Sequence, residues 1–467
     1  MAQYLSPGVY VEEVPSAIKP IAGVSTSTAG FIGVIADTIN QPLAKLTGAN
    51  VGTGDGTKTV FNLPVYPIDK AHTTVKVDGT TATGVTLAND DTNKVSTVTF
   101  TTAPGSGSKI TADIMPSFSP VPAGTPKLCT TFSDFKKFFG DFSGDPTHGF
   151  LVQAVYGFFN NGGSRCYVMR VTAEADIPKF LVNFEAIDEI AIVAAPGLAQ
   201  NDATGKNTRT QLIAHCQIRT HNRFAVFDSP PTVETGTPPA LDLTLLDAKN
   251  ASSVLPSFTD FAAYYFPWLQ VFDPISNGPV YTPPSGHIAG IYARVDNDRG
   301  VHKAPANEPV IGALDLKYAI SKAQQDGLNP EGVNCIRNLN GNIRVWGART
   351  LGGDANADLK YVNVRRTLLF LRKSIENGTQ WVVFEPNDRG LWQKITRNIT
   401  AFLTNVWRSG ALFGATAQEA FYVKCDAETN PTELRDLGQV VTEIGVAIVR
   451  PAEFVIFRIS QFTAPSK

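Results

Sequence analysis

No run of roughly 18 uncharged apolar residues occurs in the 467-residue chain, which argues against a membrane-spanning helix. The most apolar stretch, near the C-terminus, is broken by Glu443, Arg450 and Glu453. Cysteine is scarce. Cys129, Cys166, Cys216, Cys335 and Cys425 are scattered, odd in number and never form a C-x-x-C pair, which argues against a disulfide framework or a thiolate metal site. The N-terminus lacks the charged-then-apolar pattern of a secretory signal, so a soluble protein made and folded in a reducing cytoplasm is expected. A formal charge of -2 gives no global attraction to nucleic acid or to an anionic membrane.

Signatures of chemistry are also missing. Gly205-Lys206 ends like a phosphate loop, but Asn207 replaces the Ser or Thr that would hold magnesium, and no glycine sits five positions before Gly205. Asp296-Asn297-Asp298-Arg299-Gly300 resembles a calcium loop, yet its glycine comes one position early and the bidentate glutamate is missing, so a polar turn is expected. His215 and His221, beside Cys216, have neither helical-face nor zinc-finger spacing and read as structural histidines. No G-x-S-x-G elbow or H-E-x-x-H helix occurs. The reading is of a non-enzyme with no catalytic residue, no metal ligand and no cofactor.

A hydrophobic content of 43% is that of an ordinary folded chain, here long enough for about two to four domains. Ala29 to Ala36 is a short apolar run typical of a buried strand. Residues 49–119 change character: Thr, Gly and Asp dominate, and alternating runs such as Thr74-Val75-Lys76-Val77 and Val95 to Phe100 are punctuated by Asp78-Gly79 and Asn89-Asp90-Asp91. They predict a small all-β unit inserted in a loop. From 120 to 350 strands and helices alternate. Asp145-Pro146 fits an N-cap and first helical position, Leu151, Val155 and Phe158 share one face, and Gly162-Gly163 closes the helix. Strands at Arg165 to Val171, Ile190 to Ala195 and Arg223 to Phe227, with a helix through Leu212 and Cys216, suggest a βαβ layer with some parallel strands. Ser285 could cap a further helix through Ile288, Ile291 and Val295.

Two amphipathic helices follow, one carrying Tyr361, Val364, Leu368, Leu371 and Ile375, the other Trp392, Ile395, Ile399, Phe402 and Val406. Gly378 and Gly410 stop them, with a strand expected at Trp381 to Pro386. Residues 355–410 carry nine Lys and Arg against four Asp and Glu. Those cations either form an ordinary solvated face or meet an acidic surface on a partner, through Arg397 and Arg408 or through Arg365, Arg366 and Arg372. Nucleic acid fits poorly, because the aromatics fall at core positions and form no stacking platform.

Both ends read as strands without partners: Val9-Tyr10-Val11-Glu12-Glu13-Val14, and Phe454-Val455-Ile456-Phe457-Arg458-Ile459 within a longer run from Arg450 to Ser460. A lone strand is unstable and termini usually fray, so another copy of the chain is the natural partner.

These residues also carry a resemblance. Tyr4-Leu5-Ser6-Pro7-Gly8-Val9-Tyr10-Val11-Glu12-Glu13-Val14-Pro15-Ser16, followed by Gly23 to Ala29, resembles the opening of contractile tail sheath proteins of bacteriophages and phage-tail-like injection systems. Gly162 to Val168, Arg299 to Asn307, Asn334 to Arg337, Trp346 to Leu351, Trp407 to Leu412 and Arg450 to Phe454 are similar to further segments of that family. The resemblance implies a mixed α/β, multidomain chain. It would comprise an N-terminal strand arm and linker (1–24), a central α/β domain (25–48 plus 120–350), an inserted surface β domain (49–119), and a C-terminal assembly domain with a donated terminal strand (351–467).

By the same resemblance the chain forms hexameric rings stacked helically around an inner tube protein, with baseplate and terminal cap proteins as further partners. No stable membrane insertion is implied. The subunit would be made in the bacterial cytoplasm and assembled into a virion tail or injection particle. Strands exchanged between subunits would link the lattice, residues 15–24 would be the hinge, and Lys394, Arg397 and Arg408 are candidates for facing the tube. Competing readings are a static tail tube or baseplate component, or an α/β enzyme with its site at the strand ends.

Overall fold

The computed structural model describes residues 20–198 and 203–456. It divides the chain into a central unit, Ser25–Leu369 with Arg450–Lys467, and a terminal unit, Met1–Val24 with Phe370–Val449.

The apolar runs of the central unit become one nine-stranded sheet. Its strands are β1 (Ala29–Val34), β2 (Lys127–Cys129), β3 (Cys166–Val171), β4 (Ile192–Ala194), β5 (Phe224–Asp228), β6 (Ala262–Phe266), β7 (Glu308–Pro309), β8 (Val333–Leu339) and β9 (Asn342–Val345). They lie in the order β2-β3-β1-β4-β5-β6-β8-β9-β7. The strands from β3 to β8 in that order are parallel, and antiparallel neighbours close both ends. Phe31 of β1 sits opposite Val168 of β3 and Ala194 of β4. Every side chain of β5 and β6 is buried, because parallel sheets are covered on both faces and the sequence therefore runs continuously apolar.

Two helices packed together in this unit are α1 (Pro146–Asn160) and α2 (Ser285–Arg299). The Asp145 carboxylate caps α1, accepting from the Thr147 and His148 backbone N–H groups at 2.8 and 3.3 Å. The helices meet over small residues. A Cβ on Gly286 would lie 2.3 Å from Ala154 Cα, and one on Gly290 would lie 2.4 Å from the Phe158 carbonyl oxygen. Ser285 is the first residue of α2 and not its cap. The buried Asp228 carboxylate at the end of β5 takes that part, accepting from the Ser285 N–H and hydroxyl, both at 2.7 Å. The expected polar turn at Asp296 to Gly300 is instead the last turn of α2, which ends at Gly300 with φ 91°.

Between β1 and β2 the chain leaves the sheet. Ile39–Asn40 pairs antiparallel with Ser117–Phe118 and closes a neck. The strands beyond it run from Leu46–Thr53 to Lys109–Ile114 and form a four-stranded and a three-stranded sheet over their own core of Phe61, Val98, Phe100 and Ile110. The strand region thus begins at Leu46, earlier than position 49.

In the terminal unit, α3 (Val362–Gly378) enters from the central unit, the division falling within the helix. The expected boundary at 351 is therefore displaced, because the start of α3 is pinned by central-unit ion pairs. The described residues 450–456 also group with the central unit and not with the C-terminal domain. Helix α4 (Arg389–Arg408) and the strands β10 (Phe421–Lys424) and β11 (Glu443–Val446) complete the unit. Its core joins Ile21, Leu371, Leu391, Ile395, Phe402 and Phe421. The strand expected at Trp381 to Pro386 is absent. Gln380–Val382 forms a single 3-10 turn, Phe384 stands fully exposed at φ 68°, and Asp388 caps α4 through the Leu391 N–H at 2.8 Å.

Candidate assembly interface

Val9 to Val14 lie outside the described residues, as do Phe457, Arg458 and Ile459. The near part of the C-terminal segment is described. Phe454, Val455 and Ile456 are 71%, 69% and 78% exposed and form no strand. Three consecutive apolar side chains in water are a liability unless another surface covers them.

A receptive surface exists in the terminal unit. Among the described residues strands β10 and β11 pair only with each other, with Phe421 opposite Val446 and Tyr422 opposite Gly445. A two-stranded ribbon is marginal in water and its outer edges present unpaired N–H and C=O groups. Packing on one side offsets this in part: Phe421 is buried, and the Phe413 N–H donates to Ala447 O at 2.7 Å just beyond β11. Gly445 is required by close approach, since a Cβ there would meet the Tyr422 ring at 2.1 Å.

Helix α4 separates its two faces as its periodicity predicts. Leu391, Trp392, Ile395, Ile399, Phe402 and Val406 are buried, while Lys394, Arg397 and Arg408 are exposed and, among the described residues, make no ion pair. Arg397 borders an open depression of about 610 Å³, lined also by Gln393, Thr396, Thr400, Ala401 and Cys425.

Other cations of this region turn inward. Arg365 pairs with Asp260 and lies over the Phe261 ring, and Arg366 makes a doubly hydrogen-bonded pair with Asp296 at 2.9 and 2.6 Å. These two arginines are thus structural and not available to a partner, whereas Arg372 is exposed. The expected hinge is also shortened. Ile21 is buried against α3 at Gly378, and the Val24 N–H donates to Ser374 Oγ at 3.1 Å, so residues 21–24 are docked, and 15–19 lie outside the described residues.

The polar groups at the strand ends serve internal bonds. Arg170 donates to the Ile35 carbonyl at 2.9 Å and to Asp37 at 2.7 Å. Arg223 donates to His215 Nε2 at 2.7 Å. Burial and the Arg223 charge push the His215 pKa down to about 3, so the neutral imidazole is the acceptor. His215 is the structural histidine its spacing suggested. Among the described residues no group of three or more His, Cys, Asp or Glu could hold a metal ion, and no helix is long and apolar enough to cross a membrane.

One cluster escaped the sequence reading. Glu453 anchors the C-terminal segment to Arg349, Asn329 and Tyr361. Its only sequence signal is a single acid beside an apolar run.

Residues 172–351 match the model of the phage tail sheath protein central domain, and residues 354–462 that of the phage tail sheath C-terminal domain. Together they cover well over half of the chain, which belongs to the contractile tail sheath family. It is 26% identical over 196 residues to the tail sheath protein of Burkholderia phage BcepMu, a stretch covering 40% of each chain. It is 27% identical over 230 residues to that of Vibrio phage KVP40, covering 48% of this chain and 33% of the other. The matched stretches thus span well under half of those relatives' length. Among solved structures, the contracted sheath of the PVC extracellular contractile injection system is similar with a TM-score of 0.64 at 24% identity, covering 99% of both chains. The contracted helical sheath of the anti-feeding prophage gives the same TM-score and identity over 98% of this chain and 100% of that one.

Proposed function

We propose that this chain is the sheath subunit of a contractile particle. It polymerises as stacked hexamers around an inner tube and contracts from a metastable extended state, driving the tube through a target envelope. The observation that carries this reading is the β10–β11 ribbon, which is two-stranded among the described residues, in a sheath-family fold, on a chain whose sequence reads as strand near both ends. Residues Val9 to Val14 and Phe454 to Ile459 would extend the β10–β11 ribbon of neighbouring copies.

Magnitudes say what must drive that exchange. Each added backbone hydrogen bond contributes about 1 kcal/mol net, while ordering each residue costs about 1–2 kcal/mol. Pairing alone breaks even at best. Burial of an apolar side chain adds about 1.5–3 kcal/mol, so Val9, Val11, Phe454 and Ile456 tip the balance. Firing needs no nucleotide, because a lower-energy packing of the same subunits suffices. Exposed Lys394, Arg397 and Arg408 on α4 are the surface proposed to face the tube, where charge sets register and approach rate.

Electron microscopy of the purified protein tests the reading. Hollow helical cylinders are expected. Narrow smooth tubes would indicate a tube protein, and monodisperse monomers at all concentrations would overturn self-assembly.

A further inference from the structure

The chain passes between its two units three times, at Val24–Ser25, Leu369–Phe370 and Val449–Arg450. Each passage has an arginine ion pair within a few residues on its central-unit side. At the first, Thr26 Oγ1 donates to Asp296 at 2.6 Å, and Arg366 Nη2, itself paired with Asp296, donates to the Thr26 carbonyl at 3.0 Å. Asp296 and Arg366 are each only 4% exposed, and the guanidinium lies 4.6 Å over the Tyr292 ring. Arg365 and Arg366 hold the second passage through Asp260 and Asp296.

The third is the most telling. From Arg450 to Ile456 the segment makes no backbone hydrogen bond among the described residues, and Ala452, Phe454, Val455 and Ile456 are all exposed. Burial of main chain therefore does not hold it. Its chief anchor is the Glu453 carboxylate, which accepts from Arg349 Nε and Nη2 at 2.8 and 2.9 Å, from Asn329 Nδ2 at 2.8 Å and from Tyr361 Oη at 2.9 Å. Arg450 adds only an exposed 3.6 Å approach to Asp358. Arg349 is 3% exposed and fixed from behind by the Asn329 carbonyl at 2.9 Å and Asp354 at 3.0 Å, so the clamp is preorganised. The next residue is the first of the exposed apolar three.

We propose that Glu453 is a positioning residue for assembly: clamped by Arg349, Asn329 and Tyr361, it fixes the point at which the C-terminal strand leaves its own subunit, and so the register in which Phe454 to Ile459 reach a second copy of this chain. The inference rests on the strand-exchange reading above and assigns it a fixed origin. Tension carried along an exchanged strand then ends on a charge-assisted, four-bond anchor in the central unit instead of peeling the chain from its root.

The test compares full-length Glu453→Gln and Glu453→Ala with a chain ending at residue 453. For each, monomer melting, the critical concentration for cylinder assembly and hydrogen exchange of residues 454–462 inside cylinders are measured. For Glu453→Gln the inference predicts unchanged monomer melting, a critical concentration raised about tenfold and loss of protection in 454–462, with Glu453→Ala affected more. If the truncated chain fails to assemble while Glu453→Gln assembles with full protection, the clamp has no positioning role though exchange stands. If Glu453→Gln lowers monomer melting in step with assembly, Glu453 is a packing residue and the inference is overturned. If the truncated chain assembles normally, exchange of the C-terminal strand is wrong and the inference falls with it.

Discussion

In the central unit the parallel strands lie between antiparallel neighbours, both faces of β5 and β6 are buried, and three inward-turned arginines find acids in the same unit: Arg366 with Asp296, Arg365 with Asp260, Arg349 with Glu453. In the terminal unit β10 and β11 form, among the described residues, a two-stranded ribbon joined beyond β11 only by a bridge from Leu412 to Ile448, Tyr422 and Phe413 face water, and the exposed Lys394, Arg397 and Arg408 of α4 make no ion pair among the described residues. The first set of groups is satisfied within one chain. The second is not, among the described residues, and strand partners and counter-charges are what the proposed neighbours would supply. A subunit that must change its contacts without unfolding needs this division, with stability held in one place and association in another.

The largest effect that would sharpen this contrast is expected from Gly290→Val at the α1–α2 crossing. Its side chain has no space beside the Phe158 carbonyl, so urea denaturation should show the central unit destabilised by about 3 kcal/mol. Wild-type stability would contradict the packing described. Deleting residues 1–20 should do the opposite, leaving monomer melting unchanged while cylinders disappear from micrographs. Cylinders of ordinary stability would remove the N-terminal strand from the account.

A smaller effect separates two carboxylates by pH. Burial pushes the Asp228 carboxyl up to about 7 against the hydrogen bonds from Ser285 and Gly197. Its contribution to stability is therefore fully present below 3.8, the value assigned to the unfolded chain, and is lost as pH rises through about 7. Asp228→Asn cannot ionise, so its stability relative to the wild type should rise between pH 5 and pH 8, on the order of 1 kcal/mol by urea titration. Glu453 behaves oppositely. Burial alone would raise its pKa, but hydrogen bonds from Arg349, Asn329 and Tyr361 hold it below the ordinary carboxylate value. Its contribution to docking the C-terminal segment, which can detach without unfolding the unit, is present above 4.5 and is lost as pH falls through the folded value, so assembly should weaken on acidification in the wild type and not in Glu453→Gln. The smallest effect is expected from Arg397→Glu with Arg408→Glu. Sheath growth on tubes should slow several-fold at low salt and recover toward the wild-type rate at high salt. Equal rates at both salts would free α4 from any role at the tube.

Legibility in the sequence followed the range of the interactions. Helix α1 was readable because Asp145, Pro146 and Gly162 act locally, and β5 and β6 because continuous apolar runs mark strands buried on both faces. Trp381 to Phe384 is also an apolar run, yet Pro386 and the Asp388 cap leave no length for a strand, and Val383 and Phe384 end up exposed. Arg365 and Arg366 looked like surface charge because their acids lie far away in the chain, at Asp260 and Asp296. The Glu453 clamp was hidden for the same reason. It joins residues 329, 349, 361 and 453, and no local pattern connects them.

The most direct measurement is a cryo-EM reconstruction of cylinders assembled from the full-length chain. The account predicts that residues 9–14 and 454–459 of one copy add as strands to the β10–β11 ribbon of neighbouring copies, with Glu453 still held by Arg349 of its own chain. A cylinder in which both segments pair within their own subunit, or in which β10–β11 remains two-stranded, would contradict it.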